Sequence, residues 1–221
     1  GTDMSLYTIA QAAEVTLEIK KSKFIGRVRP VASEDEAKAW IAEIQKQHHD
    51  ATHNCYAYLI GQHQEIQKSN DDGEPAGTAG RPMLETLKKN QLYNVAAVVT
   101  RYFGGILLGA SGLIRAYSQA TAAAVRAAGI VQEVLHTPFT LEMDYGWWGR
   151  VEHWLRQTGT PADPPSFTDR VSLTVYLQED AIPAFLKQMA EMTNGAVVPK
   201  PGTPVWRRIP VTPPDDDHST K

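Results

Sequence analysis

The run Asn94–Tyr102, NVAAVVTRY, restricts the fold more than any other stretch of the chain. Apolar residues fill Val95 to Val99 without a break. A strand with one wet face alternates, so an unbroken run predicts a central strand covered on both faces. It empties into FGGILLGASG and then an alanine-rich stretch, Leu113–Ala128, predicted as a helix. Strand, glycine loop and helix together can turn backbone N–H groups toward an anion. Upstream lies a second unusual loop, DDGEPAGTAG. Between the two loops a short helix is expected, with Met83, Leu84 and Leu87 on its inner face and Thr78 as its N-cap. Function is expected within Ser69–Tyr117, where glycine is densest in sharp turns or close approaches.

The two loops resemble several chemical motifs and match none of them. Gly104-x4-Gly109-Ala110-Ser111 has the spacing of a phosphate-binding loop, but alanine stands where the lysine is required. A G-x-G-x-x-G dinucleotide fingerprint is absent. In Gly109-Ala110-Ser111-Gly112 the serine misses the nucleophile elbow by one glycine position. Asn70-Asp71-Asp72-Gly73-Glu74-Pro75 fails as a calcium loop because Lys68 occupies the first ligand position. Two readings of each loop stay open. The acids either orient a metal or substrate hydroxyl or bond nearby backbone in a turn. The glycine loop, flanked by Arg101 and Arg115, either takes a phosphate or carboxylate or provides close strand-to-helix packing.

Ahead of this region, Glu14–Val31 alternates as a hairpin around Lys20–Lys23. Lys20, Lys21, Lys23, Arg27 and Arg29 form an acid-free basic patch, either a solvated face or a surface for phosphates. Ser33 and Glu36 make a capping box, opening a helix with Ala37, Trp40, Ile41 and Ile44 as its stripe. His48 and His49, being adjacent, make a poor metal pair. His53–Gly61, HNCYAYLIG, reads as a strand, and a strand returns over Gln64–Ser69. His53 and Cys55 share a face, so a Cys–His nucleophile is conceivable, but the preferred reading is a buried, inert thiol.

Composition narrows the class. Cys55 is the single cysteine, which excludes an intrachain disulfide and fits a cytoplasmic setting. No apolar run is long enough for a membrane helix, and the first residues do not read as a signal peptide. Gly1-Thr2-Asp3 before Met4 reads as a cloning scar. Residues 1–135 hold 14 Lys+Arg against 14 Asp+Glu, and residues 136–221 hold 8 against 11, which accounts for the net charge of −3. Any nucleic-acid surface must therefore be a local patch.

Four segments in order, KSKFIGRVRPV, HNCYAYLIG, SNDDGEPAGTAGRPML and VVTRYFGGILLGASGLIRAY, resemble the bacterial branch of the IMPACT family over about residues 15–130. Asn70, where serine is expected, and Ser111, where glycine is commoner, are small departures. The resemblance implies an α+β N-terminal domain of the ribosomal protein S5 domain 2-like fold, with helices on one face of a sheet. It implies a family-motif surface of His53, Asn54, Asp71, Asp72, Gly73, Glu74, Pro75, Thr78 and Gly80. Eukaryotic IMPACT regulates translation under starvation, partly through an extra N-terminal domain that is not expected here ahead of residue 15.

A boundary is expected at Gly129–His136, giving domains 1–135 and 136–198. In the second, strand 137–145, helix 146–158, strands 161–167 and 170–177, helix 181–192 and strand 196–198 follow the order β-α-β-β-α-β, a ferredoxin-like arrangement. Relatives carry a similar small domain resembling one in elongation factor G. Residues 199–221 hold six of the 14 prolines and are expected to be extended or disordered.

The sequence offers no complete catalytic constellation, and no metal or cofactor is expected. The preferred reading is a non-catalytic binding protein in translation. Its partner would be RNA, the ribosome or a protein of translation control, contacted through Lys20, Lys21, Lys23, Arg27, Arg101, Tyr102, Gly104, Gly105, Gly109, Ser111, Gly112 and Arg115. The alternative is a phosphorylated small molecule, bound or transformed by Asp71, Asp72 and Glu74 with the glycine loop. Either way the two loops are expected to face each other.

Overall fold

A computed structural model describes residues 6–211. The expectations for Gly1–Asp3 and for the acidic end of the tail lie outside the described residues. The chain forms a mixed α+β structure of two compact units, residues 134–208 and residues 6–133 with 209–211.

In the first unit a short β1 (Leu6–Ile9) precedes the hairpin of β2 (Ala13–Ile19) and β3 (Ser22–Pro30). These are followed by α1 (Glu34–Gln47), β4 (His53–Ile60), β5 (Ile66–Asn70), α2 (Gly80–Lys89), β6 (Val95–Tyr102) and α3 (Gly109–Ala128). The sheet order is β2-β3-β6-β4-β5, and every neighbouring pair is antiparallel. β6 therefore lies at the centre, as its unbroken apolar run requires.

Alternation along the strands sends side chains to two separate cores. Phe24, Val28, Cys55, Ala57, Leu59, Val95, Ala97 and Val99 pack against α2 and α3. Tyr58, Ile60, Ala96 and Val98 pack on the other side against Ala37, Ile41 and Ile44 of α1. The expectation that all helices share one face is thus corrected. β4 and β6 are apolar on both faces, and α1 covers the second.

Local signals explain most boundaries. Ser33 Oγ accepts the Glu36 N–H at 3.2 Å, while Glu36 Oε2 accepts from the Ala32 N–H at 3.0 Å, a capping box reaching one residue further back. Thr78 is not the cap of α2; its hydroxyl donates to the Pro75 carbonyl. Asp71 caps that helix from a distance, accepting from the N–H groups of Ala79 (3.1 Å) and Gly80 (2.9 Å). The β2–β3 turn has two residues, Lys20 and Lys21, both at positive φ (47° and 65°). Two-residue hairpins favour that backbone twist and usually use Asn-Gly for it.

In the second unit the part of β7 (Ile130–Met143) from Val134 onward, α4 (Tyr145–Thr158), β8 (Ser166–Phe167), β9 (Val171–Leu177) and α5 (Ile182–Thr193) enclose Phe139, Leu141, Met143, Val151, Val175, Phe185 and Met189. No strand forms at Ala196–Val198. Asn194 turns left-handed (φ 52°) to end α5, and Val197 is buried with its N–H held by Thr193 Oγ1 at 3.1 Å. The segments that pair with β7 come later, as β10 (Lys200–Pro201) and β11 (Val205–Val211). Residues 200–201 and 205–211 of the expected tail are therefore strand.

Gly26 shows how closely α3 lies on the sheet: a Cβ there would come 2.5 Å from the Ala120 carbonyl oxygen. Gly26→Ala should destabilise the first unit by about 1–3 kcal/mol, read as a lowered midpoint in denaturant unfolding. An unchanged midpoint would show that α3 can step back without cost.

Candidate functional site

The DDGEP loop and the end of β6 meet. Arg101 Nη1 donates to both oxygens of Glu74, at 2.8 and 3.1 Å, and the side chains are only 6% and 3% exposed. Tyr117 of α3 donates its hydroxyl to Glu74 Oε2 at 2.5 Å. His53 of β4 donates from Nδ1 to the Asp72 carbonyl at 2.8 Å and sets Nε2 3.3 Å from Glu74 Oε1. The Arg101 guanidinium lies near the Phe24 and Phe103 rings, 5.6 and 5.4 Å from their centroids, and its Nε has no hydrogen-bond partner among the described residues. Arg101, expected as an anion contact beside the glycine loop, is instead an internal partner of Glu74.

The other two acids of the loop accept from backbone N–H groups instead. Asp71 accepts from the backbone of Gly77, Ala79 and Gly80. Burial alone would raise its pKa, but these three N–H donors outweigh burial and hold the carboxyl below the usual range. Asp72 Oδ2 accepts the Asn54 N–H at 2.7 Å. Cys55 is fully buried and donates to the Asp71 carbonyl at 3.0 Å. Burial pushes its thiol pKa far up, which disfavours the reactive thiolate. Among the described residues no group of three or more His, Cys, Asp or Glu is placed to hold a metal ion. Gly73 and Pro75 complete the turn that lifts Glu74 into the core.

The glycine loop rests on the lysine turn. A Cβ on Gly104 would lie 1.8 Å from the Lys21 carbonyl oxygen, so only glycine fits. Ser22 Oγ accepts the Gly104 N–H at 3.2 Å, and Thr52 Oγ1 accepts that of Phe103 at 3.0 Å. Gly105 and Gly109 both take left-handed φ (90° and 76°). α3 begins at Gly109, four residues earlier than its sequence predicts, with no side chain capping it. Ser111, Gly112 and Arg115 lie in its first two turns.

A second assembly occupies the α1 side of the sheet. Lys23, Arg27 and Tyr102 point there, because strand alternation separates Tyr102 from Arg101 and Arg27 from Gly26. The predicted cluster of cations and tyrosine is thus split between two faces. Arg27 is buried and donates from Nε to Glu14 (2.7 Å), from Nη1 to Thr100 Oγ1 (3.0 Å) and from Nη2 to His48 Nε2 (2.8 Å). Arginine only donates, so Nε2 of His48 accepts and Nδ1 carries the proton. Nδ1 donates to Tyr102 Oη at 2.7 Å, and Tyr102 donates to Asp50 Oδ1 at 3.1 Å. Thr100 passes its own hydroxyl to Asn54 Oδ1 at 2.8 Å, and Asn54 Nδ2 donates to the His48 carbonyl at 3.0 Å. Asn54 thereby ties this network to the DDGEP loop.

Beside that network an open groove of about 820 Å³ runs between α1 and the β2–β3 hairpin. Lys23, Arg27, Arg29, Trp40, Gln47 and His48 line it, with Glu14 and Glu43 the acids present. Lys23 and Arg29 are exposed, and the Lys23 ammonium sits 5.6 Å from the centre of the Tyr102 ring. Sequence reasoning missed Tyr117, Ser22, Thr100 and the role of His48. The usable signal was polar residues at the end of an apolar strand, since buried polar groups demand partners.

Residues 20–125 match the family model of the Impact N-terminal domain, and residues 141–196 match a domain of unknown function, DUF1949. The IMPACT family member YvyE of Bacillus subtilis (strain 168) is 46% identical, covering 86% of this chain and 88% of its own. The chain belongs to the IMPACT family. YigZ of Escherichia coli (strain K12), another member, is 35% identical over 84% of this chain and 93% of its own. A solved structure described as that of a hypothetical protein covers 90% of this IMPACT chain and 98% of its own, at 32% identity and a TM-score of 0.55. The motifs that carry the family resemblance are thus the segments whose side chains interlock around Glu74.

Two measurements test these networks. Glu74→Gln strands the buried Arg101 charge and should cost about 3–5 kcal/mol, against about 1–3 for Tyr117→Phe, both by denaturant unfolding. Equal costs would remove Glu74 from the centre of the site. Burial, and next to it the Arg27 guanidinium, holds the His48 pKa below its ordinary 6.5. The folded state therefore binds that proton less readily than the unfolded chain, and stability should fall as the pH drops below about 6.5. His48→Gln should flatten that part of the stability–pH curve, and an unaltered slope would contradict the assignment.

Proposed function

We propose that this IMPACT family member is a non-catalytic, translation-associated binding protein that holds a single RNA strand in the groove beside α1. The observation that carries this reading is the groove itself, which two exposed cations, Lys23 and Arg29, line together with the half-buried Trp40 and His48 and the buried Arg27. Phosphates need the cations and unstacked bases need ring faces. Family membership supplies the translation link, because eukaryotic IMPACT regulates translation. The ribosomal protein S5 domain 2-like and ferredoxin-like assignments, and a cytoplasmic location, belong to the same reading. No helix among the described residues is long and apolar enough to cross a membrane. The alternative, a phosphorylated small molecule handled by Asp71, Asp72 and Glu74, finds less support, since those carboxylates already bond backbone, Arg101 and Tyr117.

With two to three phosphates contacted, binding of a short oligouridine should fall with salt at a logarithmic slope of about −2. Lys23→Ala with Arg29→Ala should reduce that slope by about 1.4. Fluorescence anisotropy across a salt series reads both. Absence of binding at low salt, or a slope indifferent to the double variant, would overturn the reading. Thermal stabilisation by nucleotides or sugar phosphates, lost in Asp72→Ala, would favour the alternative instead.

A further inference from the structure

The tip formed by the glycine loop carries apolar side chains that nothing in the first unit covers. Leu107 is 81% exposed, Phe103 46%, Ile106 42% and Ile114, on the second turn of α3, 42%. Solvent-facing apolar groups gathered on one loop and helix start are characteristic of interaction surfaces. The loop is also held rigidly outward. Leu108 anchors it in the core, Thr52 and Ser22 hold the first two N–H groups, Gly104 is wedged on the Lys21 carbonyl, and Arg101 lies against the Phe103 ring. A preformed surface spends little entropy on binding.

The charge around the tip is one-sided. Residues 102–132 contain no Asp or Glu, and neither do residues 19–33. Lys20 and Lys21, presented by the turn that Gly104 abuts, and Arg115, next to Ile114, form no ion pair among the described residues. A ligand that covers the tip must bring apolar surface and negative charge together.

We infer that the tip built from Phe103, Ile106, Leu107 and Ile114, with Lys20, Lys21 and Arg115 beside it, docks an acidic amphipathic segment of a partner protein. A helix with leucine-like residues on one face and Asp or Glu flanking them supplies both requirements. RNA brings the charge, but Phe103 is the one ring among these four side chains, and the aliphatic positions 106, 107 and 114, of which Leu107 is the most exposed, give its bases nothing to stack on. An anionic bilayer brings both, but the N–H groups of Gly105, Ile106 and Leu107 have no intrachain partner among the described residues. Hydrocarbon would leave them unpaired, whereas a polypeptide can accept from them. This surface is separate from the α1-side groove, so the two readings stand or fall independently.

The test uses the whole chain and a fluorescein-labelled synthetic peptide, a helix-forming 18-mer with leucine at i, i+3, i+4 and i+7 spacing and glutamate elsewhere. Its comparators are a scrambled peptide of equal composition, oligouridine and vesicles of one-third phosphatidylserine. The patterned peptide should bind at least tenfold more tightly than the scrambled one. Leu107→Asp should weaken it at least tenfold, and Lys20→Glu severalfold. Leu107 is too exposed for its substitution to unfold the chain, and matching thermal melts check this. Leu107→Asp should leave oligouridine affinity unchanged, and Lys23→Ala with Arg29→Ala should leave peptide affinity unchanged. No binding up to millimolar peptide, equal binding of the scrambled peptide, or indifference to Leu107→Asp would overturn the inference. So would tighter binding of vesicles or oligouridine that depends on Leu107.

Discussion

The buried ion pair between Glu74 and Arg101 is the constraint on which the first unit depends. Two charges removed from water cost several kcal/mol each, and only close geometry with further hydrogen bonds offsets that. Here Glu74 is met by Arg101 from β6, Tyr117 from α3 and His53 from β4. These elements and the loop before α2 must therefore be in register before the carboxylate is satisfied. Asp71 adds a second fixed point by capping α2 from the same loop. The acids and glycines that make the stretch look like an active site are thus parts of a clamp. The clamp gives the molecule a stiff end, and that stiffness keeps the Lys20–Lys21 turn and the loop after β6 in place.

Much of the first unit was legible in the sequence because its signals are local. The unbroken run at Val95–Val99 required a strand covered on both sides, and β6 is central. The capping box at Ser33 opened α1 on schedule. Family likeness instead suggested helices on one face, and there the residue pattern was the better guide. Both 58/60 and 57/59 are apolar, so both faces of β4 needed cover. The site was less legible, for a geometric reason. Arg101 and Tyr102 are adjacent in sequence, and a strand sends them to opposite sides. No inspection of composition shows that Glu74, 27 residues upstream, is waiting for one and His48 for the other. In the second unit the pattern located both helices but not the last strands, because Asn194 and the buried Val197 delay the return of the chain to β7.

The splitting of the predicted cluster has a functional meaning. Had Lys23, Arg27, Arg101 and Tyr102 faced one way, they would have formed a single compact basic site. Alternation instead spends Arg101 on the clamp and turns Lys23 and Arg29 toward the groove. The neutral, hydrogen-bonded His48 lies under that groove and joins α1 to β6 through Tyr102. Its proton placement follows from Arg27 being a pure donor. Arg27 and His48 in the groove are therefore already hydrogen-bonded, while Lys23 and Arg29 are its exposed cations.

Saturation also bears on catalysis. A catalytic acid, base or nucleophile keeps at least one valence open toward a substrate. Asp71, Glu74 and Cys55 bond backbone, Arg101 and Tyr117, Asp72 is exposed and accepts the Asn54 N–H through one oxygen, and burial raises the thiol pKa. What faces outward differs in kind: the half-buried Trp40 with exposed cations along an open groove, and aliphatic side chains with cations at the glycine-loop tip. The clamp is what allows both to be present without the hydrophobic tip collapsing inward, because Gly104 against the Lys21 carbonyl and Phe103 against Arg101 leave Leu107 no path back to the core.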